Sequence, residues 1–170
     1  TDGLNTLFAF GGIYAAGTFG MGFDELIIFG IAINVTAGLG AVGFAWIDDW
    51  IGPKWTIGLS MMALTVLSAL LIVAPDKMWF WIFGVPLGIF VGPAQAASRS
   101  YMAHLAPPAL RTEMFGLYAL SGKATAFLGP LLLGWMTVAS GSQRVGMATI
   151  LLFFVVGLGL LWTVPPPVRR

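Results

Sequence analysis

Lys123 is the residue of this chain whose chemistry most needs a reason. It stands near the middle of an apolar run from Glu113 to Val138 and lies about 15 Å along a helix begun at Glu113, half the depth of a bilayer's hydrocarbon core. A charge at that depth is costly. It is expected to line a solute or ion path, or to pair with an acid, the plainer alternatives being a structural ion pair or a side chain that snorkels to an interface. Tyr118, Gly122, Thr125 and Gly129 form a small and polar stripe beside it. The tripeptide Gly122, Lys123, Ala124 is not a phosphate loop, because the first glycine and the hydroxyl residue of that pattern are both missing.

Two other stretches offer partners. Asp2, Gly3, Leu4, Asn5 and Thr6 put an acid, an amide and a hydroxyl around a glycine, the pattern of a locally loosened helix that lines a cavity. Gln95, Ser98, Arg99 and Ser100 follow Pro93, and the donors lost at Pro86 and Pro93 predict kinks with freed carbonyls that a neighbour can use. Pro130 predicts a third kink. The candidate path residues are therefore Asp2, Asn5, Gln95, Arg99 and Lys123. Asn34 and Thr36 are read as contacts between helices, and His104 as a solvated loop residue.

The elements that must position these residues are membrane helices. The chain of 170 residues is 58% apolar and 9% charged, against roughly 25% charged in soluble domains, and its mean hydropathy is +0.92. Six apolar segments are expected, at about 1–20, 26–46, 56–74, 78–103, 113–138 and 145–164. The first run is barely long enough to span, and with Thr1 in place of methionine it suggests an excerpt of a longer chain. Gly38, Gly40 and Gly43 in the second segment, and Gly84, Gly88 and Gly92 in the fourth, predict close helix contacts. The third and sixth segments are the plainest and are expected to face lipid, with Ser60, Thr65 and Ser68 bonding back to their own helix.

Charge and composition exclude several classes. A net charge of +1 speaks against a nucleic-acid partner. With no cysteine and one histidine, neither a thiolate nor a multi-histidine metal site can form, no cofactor is expected, and no nucleophile set suggests an enzyme. Lys54, Arg99, Arg111, Arg169 and Arg170 fall on one side of the six segments, Lys77 and Arg144 on the other. The positive-inside rule puts the first set and the C-terminus in the cytoplasm. Asp2 and Lys123 then lie within roughly 6 Å of one another in depth, and a salt bridge between them is expected as a hypothesis.

The stretch 47–55 resembles the cytoplasmic signature of the major facilitator superfamily, with Asp49, Gly52 and Lys54 in its acidic, glycine and basic positions; Ala45 and Trp50 depart from it. The runs Gly92–Ser100 and Phe115–Lys123, with Asp2, Gly3, Asn5 and Thr6, resemble the branch related to the fungal autophagy vacuolar amino-acid effluxer and its bacterial permease relatives. That resemblance implies an all-α membrane protein, the C-terminal six-helix half of a twelve-helix fold, whose N-terminal half would be its partner. It also implies secondary transport of a small solute by alternating access, with neutral amino acids and protons as candidate cargo and coupling ion. Segments one and four would line the cavity, and Asp49, Gly52 and Lys54 would form a gating loop. A multi-pass protein of a bacterial inner membrane follows. The rival is a non-transporting sensor or scaffold built on the same bundle.

Overall fold

The structure, a computed structural model, describes residues 2–164, with the side chains of Asp2 and Asn5 excepted. Among the described residues the chain forms α1 (Asp2–Phe19), α2 (Phe23–Ile51), α3 (Pro53–Ile72), α4 (Lys77–Leu105), a 3-10 turn at Pro108–Leu110, α5 (Arg111–Thr125), α6 (Leu128–Ser140) and α7 (Gln143–Thr163). By length and composition α2, α3, α4 and α7 can each cross a membrane. The result is an all-α membrane bundle, as the composition required.

The helices pack by exchange between the two halves of the sequence. Helices α2 and α3 clasp α4, α6 and α7 flank α1, and α3 lies against α7. One end of the bundle holds the α1–α2, α3–α4 and α6–α7 turns and is called here the Gly20 end. The other holds the α2–α3 junction and is called the Gly52 end.

Helices α2 and α4 run parallel at close range because glycines remove the side chains between them. A Cβ on Gly84 would run into Phe29, one on Gly88 into Thr36 and the Ile33 carbonyl, and one on Gly92 into the Ala37 carbonyl. Gly40 in turn sits on the carbonyl of Ile89, the group that Pro93 leaves without its helical donor. The freed acceptor therefore faces a neighbouring backbone. Gly38 and Gly43 have nothing within 4 Å of a Cβ position and make no such approach.

Several local expectations change. Residues 2–6 are regular helix, not a loosened segment, and Gly3 serves packing against Phe153 and Phe154. Helix α4 runs as one element to Leu105 with Pro86 and Pro93 inside it, so His104, expected in a loop, lies in its last turn, with Nδ1 2.7 Å from the Ser100 carbonyl. The stretch 47–55 is no loop. Helix α2 runs to Ile51 and α3 begins at Pro53, leaving Gly52 alone between them at φ +87°, a backbone conformation that a side chain would strain. Segment five divides at Ala126 and Phe127 rather than at Gly129 and Pro130. The break falls there because the ring of Pro130 excludes the carbonyl four residues earlier, that of Ala126.

The third and sixth segments are also less bare than their composition suggested. Helix α3 shows only the stripe Trp55, Leu59, Met62, Val66, Leu70 and Val73, while Thr56, Ser60, Leu64 and Ser68 are buried on its other side. Thr65 bonds back to Met61 at 2.7 Å as expected, but the hydroxyls of Ser60 and Ser68 have no partner. Helix α7 is likewise two-sided, burying Met147, Ile150 and Phe154 and exposing Leu152, Val156 and Leu160.

Candidate functional site: a cavity and an uncovered polar face

Helices α1, α2 and α4, with Leu71 of α3 and Met147 of α7, line a partly open cavity of about 160 Å³. Its wall is apolar, with Leu7, Leu26, Phe29, Leu87 and Val91 among its residues, and among the described residues Asn34 is its one polar side chain. Asn34 does not bridge two helices as expected. Its Nδ2 donates to the Gly30 carbonyl of its own helix at 2.8 Å, which leaves the amide oxygen unspent. From Phe23 to Asn34 is about 16 Å of helix, roughly the midplane of a 30 Å hydrocarbon core.

Gly11, Gly12 and Gly30 also line this cavity, and none has an atom within 4 Å of its Cβ position. They differ in this from Gly40, Gly84, Gly88 and Gly92, whose bareness admits a neighbour. A mid-helix glycine costs about 0.5–1 kcal/mol relative to alanine, and packing does not offset that cost at these three positions. Sequence reasoning passed over them, although the adjacent pair Gly11 and Gly12 inside an apolar helix was the available signal.

Gln95 and Arg99 stand exposed on α4, and Lys123 is exposed at the end of α5, a helix with no buried residue. Among the described residues Lys123 has no ion pair; the pair present joins Lys77 to Glu25 at 2.8 Å. The parallel register of α2 and α4, carried on past Gly92, puts Arg99 level with Asp48, whose Oδ1 is buried with no hydrogen-bond partner. The Asp2–Lys123 pairing and the Asn5 contact lie outside the described side chains. Their backbones begin α1, whose Gly3 meets α7 at Phe153 and Phe154, and α7 pairs with α6 through Gly146 against Leu133 and Thr137. That register sets the start of α1 level with the α5–α6 break, about one turn from Lys123.

The two ends of the bundle are tied differently. At the Gly20 end four contacts cross between helices. Lys77 on α4 holds Glu25 on α2, Thr18 on α1 donates to Gln143 on α7 at 3.1 Å, the Tyr14 hydroxyl donates to the Ile72 carbonyl at 3.3 Å, and Arg144 donates to the Ala74 carbonyl at 3.0 Å. At the Gly52 end, Lys54 on α3 donates to the Val164 carbonyl just after α7 and lies 5.8 Å from the Trp162 ring centre. Trp55 meets Trp162 edge to face at 5.2 Å. Gly52 donates to the Asp48 carbonyl at 2.8 Å, and Asp49 is exposed on the last turn of α2. The residues expected to form a gating loop are thus a one-residue hinge with a lysine tied to α7. Among the described residues no group of acids and histidines could hold a metal.

Comparison with known proteins fits this arrangement. Residues 1–167 match the family described as vacuole effluxer Atg22 like. The MFS-type transporter YxiO of Bacillus subtilis is 25% identical over 96% of this chain and 38% of its own length. Autophagy-related protein 22 of Cryptococcus neoformans is 24% identical over 95% of this chain and 31% of its own, and that of Kluyveromyces lactis is 34% identical over 48% and 17%. The chain thus spans less than two fifths of the length of these relatives. It is a multi-pass membrane protein of the major facilitator superfamily and belongs to the Atg22-like effluxer family.

Proposed function

We propose that the chain is one half of a secondary carrier that moves a small solute across a membrane by alternating access. The observation that carries this reading is the exposure of polar and charged side chains within the apolar segments that form α4 and α5. Gln95 and Arg99 on α4 and Lys123 on α5 are all exposed, and Lys123 stands in the last turn of α5, beside the α5–α6 break that lies inside the fifth apolar segment. A polar side in an apolar bundle suits a water-filled path closed by a second half, here the N-terminal six helices of the same chain. The charge bias of the loops supports a cytoplasmic C-terminus, and the bacterial relative supports an inner membrane. Neutral amino acids are the cargo to try first, with protons as the coupling ion.

The test is counterflow of labelled neutral amino acids into proteoliposomes holding the full-length carrier, with and without an imposed pH gradient, beside a Lys123→Ala version. Saturable flux that follows the gradient and is lost in the variant supports a coupled carrier. Absence of flux for every solute tried, from a folded and inserted protein, turns the assignment to a sensor or scaffold.

A further inference from the structure

We propose that the cavity between α1, α2 and α4 receives the apolar part of the carried solute, and that Gly11, Gly12 and Gly30 set the size of the group it admits. The inference deepens the carrier reading and rests on it. Three observations converge. The cavity measures about 160 Å³, and an apolar cavity of about 150 Å³ holds a benzene ring. Three glycines that admit no neighbouring helix open onto it, on helices where a side chain would otherwise project into the space. Asn34 lines it with one Nδ2 hydrogen bound to the Gly30 carbonyl, so that its amide oxygen and second N–H remain for an occupant.

The chemistry of the occupant follows from the wall. Among the described residues no charged side chain lines the cavity, which suits an uncharged group no larger than a single ring or a branched aliphatic chain. A hydrogen-bonding group close to it would meet Asn34. The charged part of the solute would lie outside, toward the face that carries Lys123. The midplane depth of Asn34 is the level at which both halves of such a carrier reach the solute.

The experiment uses the full-length carrier and a series of neutral amino acids graded in side-chain volume, from glycine to tryptophan. Gly12→Val and Gly30→Leu narrow the cavity, and Gly30→Ala serves as the mild variant, since a Cβ at either position meets nothing within 4 Å; the melting temperature of each variant checks its folding. Uptake competition and solute-induced shifts of melting temperature are both read, so that binding is seen even without flux. The expected result is a loss of about ten- to a hundredfold for the largest solutes that bind the parent, with the smallest unchanged. Asn34→Leu is expected to weaken all of them.

An unchanged size profile in variants that melt at higher temperature overturns the proposal, because it marks the cavity as a packing void. Equal loss for every solute also overturns it. If the parent itself neither binds nor carries any of the series, the amino-acid reading fails. Binding of benzene or indole that the parent shows and Gly30→Leu lacks then decides the cavity separately.

Discussion

At the scale of single residues, the glycines separate into those that a neighbouring helix requires and those it does not. Gly40 lies on the Ile89 carbonyl, whereas Gly43, one turn on, has open space where a Cβ would be. Gly40→Ala is therefore expected to destabilise the bundle by about 1–3 kcal/mol through overpacking against backbone that cannot yield. Gly43→Ala is expected to be neutral or to stabilise by up to about 1 kcal/mol through helix propensity. Melting of the two purified variants decides the matter, and equal effects would remove the packing account. The sequence showed the Gly84, Gly88, Gly92 spacing well enough to predict a close contact. It could not separate Gly40 from Gly38 and Gly43, because all three lie within a turn and a half and only the neighbour's position tells them apart. Asn34 was singled out but read as a contact between helices, and it bonds its own: an amide can do either, and composition is silent on which.

At the scale of elements, apolar runs located the helices but not their ends or their buried sides. Pro53 can begin a helix as readily as it can sit in a turn, so the short polar stretch around Asp49 read as a loop and is in fact two helix ends joined at Gly52. Serines on α3 read as self-bonded because nothing in hydropathy distinguishes a lipid-facing side from one that faces protein. Pro130 was legible as a perturbation, and its effect appears one turn earlier, at Ala126, where the lost hydrogen bond has its acceptor. Pro130→Ala restores that donor and is expected to join α5 and α6 into one helix. Spin labels at Leu117 and Val138, both exposed, should then move apart and show a narrower distance distribution. An unchanged distribution would mean that the neighbours of α6, and not the proline, hold the break. Gly52→Ala tests the other junction. At φ +87° a side chain costs of order 1–3 kcal/mol, so a lower melting temperature is expected, and an unchanged one would show that the junction can relax.

At the scale of the whole molecule, α1 and α4 are placed alike, each held by two helices from the other half of the sequence, whereas α5 lies against little but the end of α4. Helix α4 is locked to α2 by four glycines. Helix α5, which carries Lys123, buries nothing. The interhelical ties of the Gly20 end join α1, α2, α3, α4 and α7 and leave α5 and α6 out. In a rocking carrier the elements fixed at one end and open at the other define where access changes, and this points to the Gly52 end of α4 and α5. Single cysteines are a direct probe, since this chain contains none of its own. In an otherwise cysteine-free full-length carrier, cysteines at Gln95, Arg99 and Lys123 are expected to react with a water-soluble maleimide at rates that change severalfold with saturating solute. Cysteines at Leu59 and Leu152, on the outward sides of α3 and α7, are expected to react slowly whether or not solute is present, because lipid covers them. Solute-sensitive labelling confined to the first three sites makes the polar face a path whose exposure alternates. Labelling that is equal at all five sites, or that ignores solute everywhere, would show that these charges sit on a static surface and would leave the bundle as a scaffold.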